Sequence, residues 1–441
     1  MSKTINGFSK LSKQGKIDWL TSNFLKETDN LGENTEGSTS DIFANFQASD
    51  AEFQRIFDGF SENTIANFPI PFGIAPNFQI NEKTYAVPMV IEESSVVAAA
   101  ASAAKFWSER GGFKAEVLGT VKVGQVHFTW SGNGEILRGS LFEELKAVLI
   151  EKAKPITQNM ERRGGGIRAI ELVDFTADEP DYYQLCVQFE TCDSMGANFI
   201  NSVLESFGED LTFFLAEKTD IMPVIIMCIL SNYTPQCVVR ASVECAIADF
   251  HHDNAVFYAE KFRRAIRIAQ LDPYRAVTHN KGIMNGIDSV ILATANDFRA
   301  VEACAHAFAA RDGQYRSLSD CSIENGRFKF WLDMPLAVGT VGGLTSLHPL
   351  AKLSMQILGN PSAAELMQIV AVVGLAQNFA AVRSLVTTGI QRGHMKMHLT
   401  NILNHLQATP EEATVAVAFF DHKMVSFTAV RTFLDESRAT K

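Results

Sequence analysis

One stretch of the chain limits the possible folds more than any other. Between residues 116 and 230 the pattern predicts strand, helix, strand, strand, helix, strand. Residues 117–130 have strand composition with partial alternation and end in the turn Ser131-Gly-Asn-Gly134. Residues 141–153 carry helical apolar spacing, 167–175 and 182–190 read as two strands around a polar turn, 196–218 as a second helix, and 222–230 as a final buried strand. That order is the split β-α-β unit of a ferredoxin-like domain. A chain of 441 residues has room for about three domains, so this unit is expected to be a compact insertion in a larger one.

The flanking sequence predicts an α+β protein whose larger part is mostly helical. Residues 1–60 mix short helical patterns with a polar loop at 30–40. Prolines at 69, 71, 76 and 88 forbid a long helix and predict short extended segments. Ser94 and Ser95 then open an Ala-rich helix to about Trp107, with serine as the expected N-cap. From 241 onward the pattern is largely helical: 250–269, ending before Asp272-Pro273; a capping box Thr294-Ala-Asn-Asp297 before 298–311; a Gly/Pro-rich loop at 334–349; and a long apolar helix at 363–385. Gly389-Ile-Gln-Arg-Gly393 reads as a hinge before further helices. The expected divisions are 1–115 and 231–388 for the large domain, 116–230 for the insertion, and 389–441 for a C-terminal helical piece.

Composition removes several classes of function. Apolar residues at 46% and charged residues at 20% are globular values. A net charge of −11 with no dense basic block argues against nucleic acid. The N-terminus lacks the apolar core of a secretory signal. The longest clean apolar run, 222–230, falls short of the roughly 20 residues of a membrane span. Seven scattered cysteines without a CxxC pair predict reduced thiols and a cytoplasmic protein, not a disulfide framework or a zinc ribbon.

Several residues could carry chemistry. Glu92-Glu93 lies between an apolar stretch and the Ala-rich helix; burial could make one of them a general acid, although helix-start acids are the simpler local reading. Lys281, among small and apolar neighbours in His279–Asp288, could stabilise an oxyanion, or could sit on an ordinary turn. Asp297 reads most simply as part of a helix cap. His394 and His398 share a helical face, but Met395 stands where HExxH needs glutamate, so no metal site is expected. No GxGxxG or Walker loop is present. Asp193-Ser-Met-Gly-Ala-Asn198 falls where the second helix of the insertion begins, and backbone amides there suit an anionic nucleotide.

Together these segments resemble the class II, bacterial-type 3-hydroxy-3-methylglutaryl-coenzyme A (HMG-CoA) reductases. The matching stretches are Glu62-Asn63-Thr-Ile65, Asn77-Phe-Gln-Ile-Asn81, Pro88-Met-Val-Ile-Glu-Glu93 with Ser95, Asp193-Ser-Met-Gly-Ala-Asn198, Asp272-Pro-Tyr-Arg275, His279 to Asp288, Asn296-Asp297, and Gly374-Leu-Ala-Gln-Asn378 through Gly393-His394-Met395. Each is weak alone, and their order from 62 to 395 is specific.

The resemblance implies a reduction of HMG-CoA by two nicotinamide hydrides, through a hemithioacetal and an aldehyde, to mevalonate and coenzyme A. It implies Lys281 as oxyanion stabiliser, Glu93 as proton source, Asp297 as the group that couples them, and His394 as the acid that protonates the CoA thiolate. It implies Ser95, Arg275, Asn378, Asn232, Asn285, Glu62 and Asn63 as substrate-binding positions. Asp193, Met195, Gly196 and Asn198 would hold the cofactor. Thr157, where NAD-preferring members can place an aspartate, together with Arg162 and Arg163, predicts NADPH over NADH. The piece after Gln391 would be a mobile flap. Family members are homodimers with active sites at the interface, often assembled into hexamers.

The chain departs from the family pattern at Ala66, Ser94, Glu82 and Ser9, all peripheral to the chemistry. The rival readings are a non-catalytic CoA-ester-binding scaffold and a thioester hydrolase or acyltransferase. The first has no reason to keep Glu93, Lys281, Asp297 and His394 together; the second lacks an evident nucleophile elbow.

Overall fold

The computed structural model describes residues 3–25, 39–250, 254–387, 399–400, 402–420, 423 and 425–439. The proline-rich segment forms an antiparallel hairpin, β1 (Phe72–Ile80) and β2 (Lys83–Val90). Its two-residue turn, Asn81-Glu82, has both residues at positive φ, the geometry that matches strand twist. The prolines are tolerated because both strands of a two-stranded sheet are edges.

The inserted unit is a four-stranded antiparallel sheet of β4 (Lys122–Thr129), β5 (Gly166–Asp174), β6 (Tyr182–Glu190) and β7 (Val224–Ser231) in the order β5-β6-β4-β7. Helices Phe142–Glu161 and Ala197–Thr219 cover one face, and their apolar sides build a separate core around Phe128, Leu149, Phe189 and Phe207. This is the ferredoxin-like order expected from the sequence.

Three details of this unit differ from expectation. Residues 117–130 are not one strand: β3 (Lys114–Val117) belongs to another sheet, and the chain crosses to β4 at 118–121. There Leu118 donates to the Val238 carbonyl, and a side chain on Gly119 would meet the Gln236 carbonyl at 2.4 Å. β7 is not buried; it is an edge strand, with Val224, Ile226, Met227 and Ile229 exposed. Its apolar composition suits either position, and only the strand order decides. The first helix of the unit runs on past 153 and through Pro155.

The larger part also holds more strand than expected. β3 pairs with β8 (Val238–Ala246), which pairs with β10 (Arg327–Pro335), which pairs with β9 (Ser319–Glu324). In β8 the alternate residues Val239, Ala241, Val243 and Cys245 are buried. β9 and β10 join through Asn325-Gly326, both at positive φ, a hairpin signal embedded in a helical context.

The long helix Ala363–Val386 is long and apolar enough to cross a membrane, but 72% of its apolar window is buried inside the protein. It is the core helix of the large part, packed on helix Pro273–Ala293. The two approach at backbone distance: a Cβ on Gly286 would lie 2.8 Å from the Val373 carbonyl oxygen, and one on Gly374 would lie 2.7 Å from Ile287. A third apolar cluster joins Leu399, Ile402 and Leu403 to helices Pro410–Phe420 and Phe427–Ala439. Gly286→Ala is expected to cost about 1–3 kcal/mol of stability by forcing these helices apart; an unchanged urea midpoint would contradict that packing.

Candidate active site

Helix Pro273–Ala293 starts sharply because Asp272 caps it, accepting from the Tyr274 N–H at 3.0 Å, with Pro273 at its first position. The stretch 279–288 is therefore mid-helix, not a glycine-bearing turn. Lys281 and Asn285, four residues apart, share a face and meet Glu93, which follows β2. Lys281 Nζ donates to Glu93 Oε2 at 2.6 Å, and Asn285 Nδ2 donates to the same oxygen at 3.3 Å. The pair is open to solvent, at 59% and 38% exposure for the two side chains. An ion pair so exposed contributes about 0–1 kcal/mol to stability. Its value lies in presenting an ammonium and a carboxyl group on one surface.

A polar cluster lies on the same helix. Arg275 is half-buried, and among the described residues it has no hydrogen-bond or ion-pair partner; burial pulls its pKa down. His279 is buried, and its Nε2 lies 2.8 Å from Ser319 Oγ, which in turn donates to Asn378 Oδ1 at 2.8 Å. Because the hydroxyl hydrogen is spent on Asn378, His279 Nε2 must carry the proton, which leaves Nδ1 a bare, buried acceptor without a partner among the described residues. Burial, with Arg275 adding repulsion, drives the His279 pKa down to about 3. Ser95 does not cap its helix as expected: it sits at φ 75° with no side-chain cap bond, and its hydroxyl is buried with no partner among the described residues. An unpaired guanidinium and an orphaned hydroxyl are what an anionic, hydroxylated ligand would satisfy.

Asp297 stands apart from this group. It is itself the N-cap of helix Phe298–Ala309, accepting from Arg299 N at 3.1 Å and Ala300 N at 3.2 Å; Thr294 instead turns its hydroxyl back to the Val290 carbonyl. Partial burial raises the Asp297 pKa, but the Arg299 guanidinium and the two amides outweigh it and hold the group below the usual carboxylate range. Between Lys281 and the end of its helix at Ala293 lie twelve residues, about 18 Å, and Asp297 lies beyond that end. Its carboxylate makes no hydrogen bond or ion pair with Lys281 or Glu93. It faces an open cleft of about 940 Å³ walled by Phe53, Phe68, Ile70 and His348. Ser61 and Thr64 line the same cleft, and Glu62 and Asn63, both exposed, lie between them in sequence.

The loop 191–198 lies where the inserted sheet meets the large part. Gly196, at φ 97°, leads into helix Ala197–Thr219, and a Cβ there would strike Thr191 at 2.5 Å. The Asp193 carboxylate accepts from Ala363 N at 2.8 Å, and its carbonyl accepts from Thr340 N at 2.8 Å. Met195 and Asn232 line a crease with Ala300 and Val301, one turn from Asp297. Asn232 thus lies with loop 191–198, not with Glu93 and Lys281. Asn198 is exposed at the helix start.

The turn after Arg162 joins this edge: Cys192 Sγ donates to the Arg163 carbonyl at 3.3 Å, and a Cβ on Gly165 would meet the Glu190 carbonyl at 2.6 Å. Arg162 is exposed and bonds Asn159 and Gln158. Thr157 does not fit its expected place. It is buried in helix Phe142–Glu161 with an unpartnered hydroxyl among the described residues, so it cannot touch a ribose and bears on cofactor choice only by not being an aspartate. His394 and His398 lie outside the described residues; among those described, no cluster suits a metal ion. Lys122 and Ser319 were not anticipated. The signal for Lys122 was a lysine at a core-facing position of β4, in step with Gly124, Val126 and Phe128.

These features define an α+β protein with a ferredoxin-like sheet inserted beside an ammonium–carboxylate pair and a buried polar cluster. The family model for hydroxymethylglutaryl-coenzyme A reductase matches residues 25–399. The 3-hydroxy-3-methylglutaryl-coenzyme A reductase of Archaeoglobus fulgidus is 38% identical over 360 residues, covering 81% of this chain and 80% of the relative. The class II enzyme of Streptococcus pneumoniae, solved bound to NADPH in open conformations, superposes with a TM-score of 0.70 at 36% identity, covering 91% of this chain and 100% of that one. A second structure from the same organism gives 0.70 at 34% identity, covering 98% and 99%. The chain belongs to the hydroxymethylglutaryl-coenzyme A reductase family.

Buried neutral His279 has a pH consequence. Its folded pKa, about 3, lies below the ordinary value of about 6.5. Between those values the unfolded chain binds the extra proton, so stability falls as pH drops from 6.5 toward 3. His279→Gln is expected to flatten this dependence in urea melts at pH 7 and 5; an equal slope in both proteins would contradict it.

Proposed function

We propose that the chain reduces HMG-CoA to mevalonate and coenzyme A with NADPH. The observation that carries this reading is the Glu93–Lys281–Asn285 contact at 2.6 and 3.3 Å, on a helix that also carries Arg275, half-buried and without a partner among the described residues. Arg275 would take the free carboxylate of the HMG moiety by its planar fork. Ser95, with its orphaned hydroxyl, and Asn378, through its link to Ser319, would position the rest. The Lys281 ammonium would stabilise the thioester oxygen as it gains charge, and Glu93, already on that ammonium, would deliver the proton. His394 would protonate the departing thiolate, a task for an acid titrating near neutral pH. Bound NADPH supplies hydride. The crease beside Met195 and Asn232 would hold the nicotinamide end, with Arg162 and Arg163 toward the ribose 2′-phosphate.

The working unit is a homodimer. Asp297 is a fixed anion beyond the far end of the helix that carries the Lys281 of its own chain, and the cleft before it exposes apolar surface, including Phe68 at 90%. A second copy seated there would bring its own Glu93 and Lys281 to Asp297 and to the nicotinamide, with Glu62 and Asn63 reaching its substrate. Seven unpaired cysteines fit a cytoplasmic, reducing setting.

Reduced-nicotinamide absorbance followed with HMG-CoA tests the reading. Two cofactors oxidised per mevalonate, with a lower Michaelis constant for NADPH than for NADH, are expected. His394→Ala should lose about 10²–10⁴ in rate. Folded protein that binds HMG-CoA but turns over with neither cofactor would support the scaffold reading instead.

A further inference from the structure

Lys122 is a buried cation that the reaction scheme does not use. It begins β4 on the core-facing side and is 4% exposed. Its ammonium donates to Thr191 Oγ1 and, at 2.8 Å, to the Ser194 carbonyl, while Thr191 Oγ1 donates to the same carbonyl at 2.6 Å. It thereby anchors the nucleotide loop from beneath. None of these partners is an anion, and no carboxylate lies within ion-pair distance of it among the described residues. Burial lowers its pKa, and Cys237, Glu190, Cys192 and Asp193 act against that.

The two sides of this lysine differ. On one side a cavity is lined by Thr120, Glu190, Cys192 and Asp193, so both neighbouring carboxylates are there. Both are already engaged: Glu190 accepts from Thr120 and from Cys192 N, and Asp193 from Ala363 N. On the other side is the crease of Met195, Asn232, Thr234, Ala300 and Cys304, and Lys122 is the one charged residue among those lining it. Lys122 thus lines both spaces, and its compensating anions lie on the cavity side alone. In such a setting a unit charge acts more strongly than in water.

We propose that Lys122 makes the crease discriminate between the oxidation states of the nicotinamide, binding the neutral reduced ring in preference to the cationic oxidised one. This rests on the placement of the nicotinamide end given above. The overall equilibrium of the reaction is untouched; what changes is the relative affinity for the two forms. The consequence suits a reaction that consumes two reduced cofactors in succession, because the spent cofactor must leave before the second can enter. The lysine is a specificity-determining residue that acts by charge, while its bonds to Thr191 and Ser194 hold the loop.

The test is a set of equilibrium titrations at fixed ionic strength, with NADPH read by its own fluorescence and NADP⁺ and 2′-phospho-ADP-ribose by competition. The wild-type chain should bind NADP⁺ about tenfold or more weakly than NADPH, the scale expected for one unit charge acting through a few ångströms of protein. Lys122→Met should bring the two affinities together and leave 2′-phospho-ADP-ribose, which has no nicotinamide, unaffected relative to NADPH. Thr191→Val, which removes a bond to the lysine but keeps the charge, should preserve the wild-type ratio. An unchanged ratio in Lys122→Met, or equal binding of both forms by the wild-type chain, overturns the role of Lys122 while leaving the nucleotide site in place. Failure of wild-type protein to bind any of the three overturns the placement of the nucleotide itself. Should Lys122→Met not fold, Lys122→Gln supplies the same comparison, and equal binding of both forms by the wild-type chain still overturns the proposal.

Discussion

Helix Pro273–Ala293 can offer Lys281 and Asn285 to Glu93 only because its opposite side is held against helix Ala363–Val386 at backbone distance. Gly286 and Gly374 remove the side chains that would separate them. With the helices so close, residues four apart on one and the end of β2 fall within hydrogen-bond reach. The same contact brings Asn378, on the long helix, to Ser319 and through it to His279. One steric constraint thus sets both the ion pair and the buried polar cluster of His279, Ser319 and Asn378. It also explains how so apolar a helix as Ala363–Val386 is accommodated: most of it is covered by this packing.

Much of the inserted unit was legible in the sequence because strand and helix periods alternate there without interruption. The order β5-β6-β4-β7 follows from that alternation and from short connections. Where the sequence misled, a second force decided. The run at 117–130 has uniform strand composition, so nothing local marks the crossing at Gly119 between two sheets. β8, β9 and β10 lie among long helices, and only their pairing makes them a sheet, although Asn325-Gly326 carried a turn signal of its own. The apolar face of β7 is set by its edge position, a property of strand order and not of composition.

The site was legible by residue type more than by position. Glu93, Lys281 and Asn285 come together, and Arg275 and Asn378 lie on the two packed helices Pro273–Ala293 and Ala363–Val386. Ser95 looked like a helix cap and instead carries a buried, free hydroxyl in a left-handed turn. Asp297 looked like a cap and is one, yet it also faces the cleft as a stabilised anion. Thr157 shows the limit of position-matching, since burial removes it from any ligand. Lys122 shows the converse: a lysine in the core register of a strand is an electrostatic anomaly, and its anchoring role appears only when loop 191–198 is seen above it.

The central claim is that the catalytic group is completed by two chains, with Glu93 and Lys281 from one and Asp297 from the other. Mixing two inactive variants, Lys281→Ala and Asp297→Ala, tests it most directly. If the groups come from different subunits, each mixed dimer contains one wild-type site, and random reassociation restores about a quarter of wild-type activity. If one chain supplies all three, each site keeps one of the two lesions and mixing restores nothing, which would contradict the account.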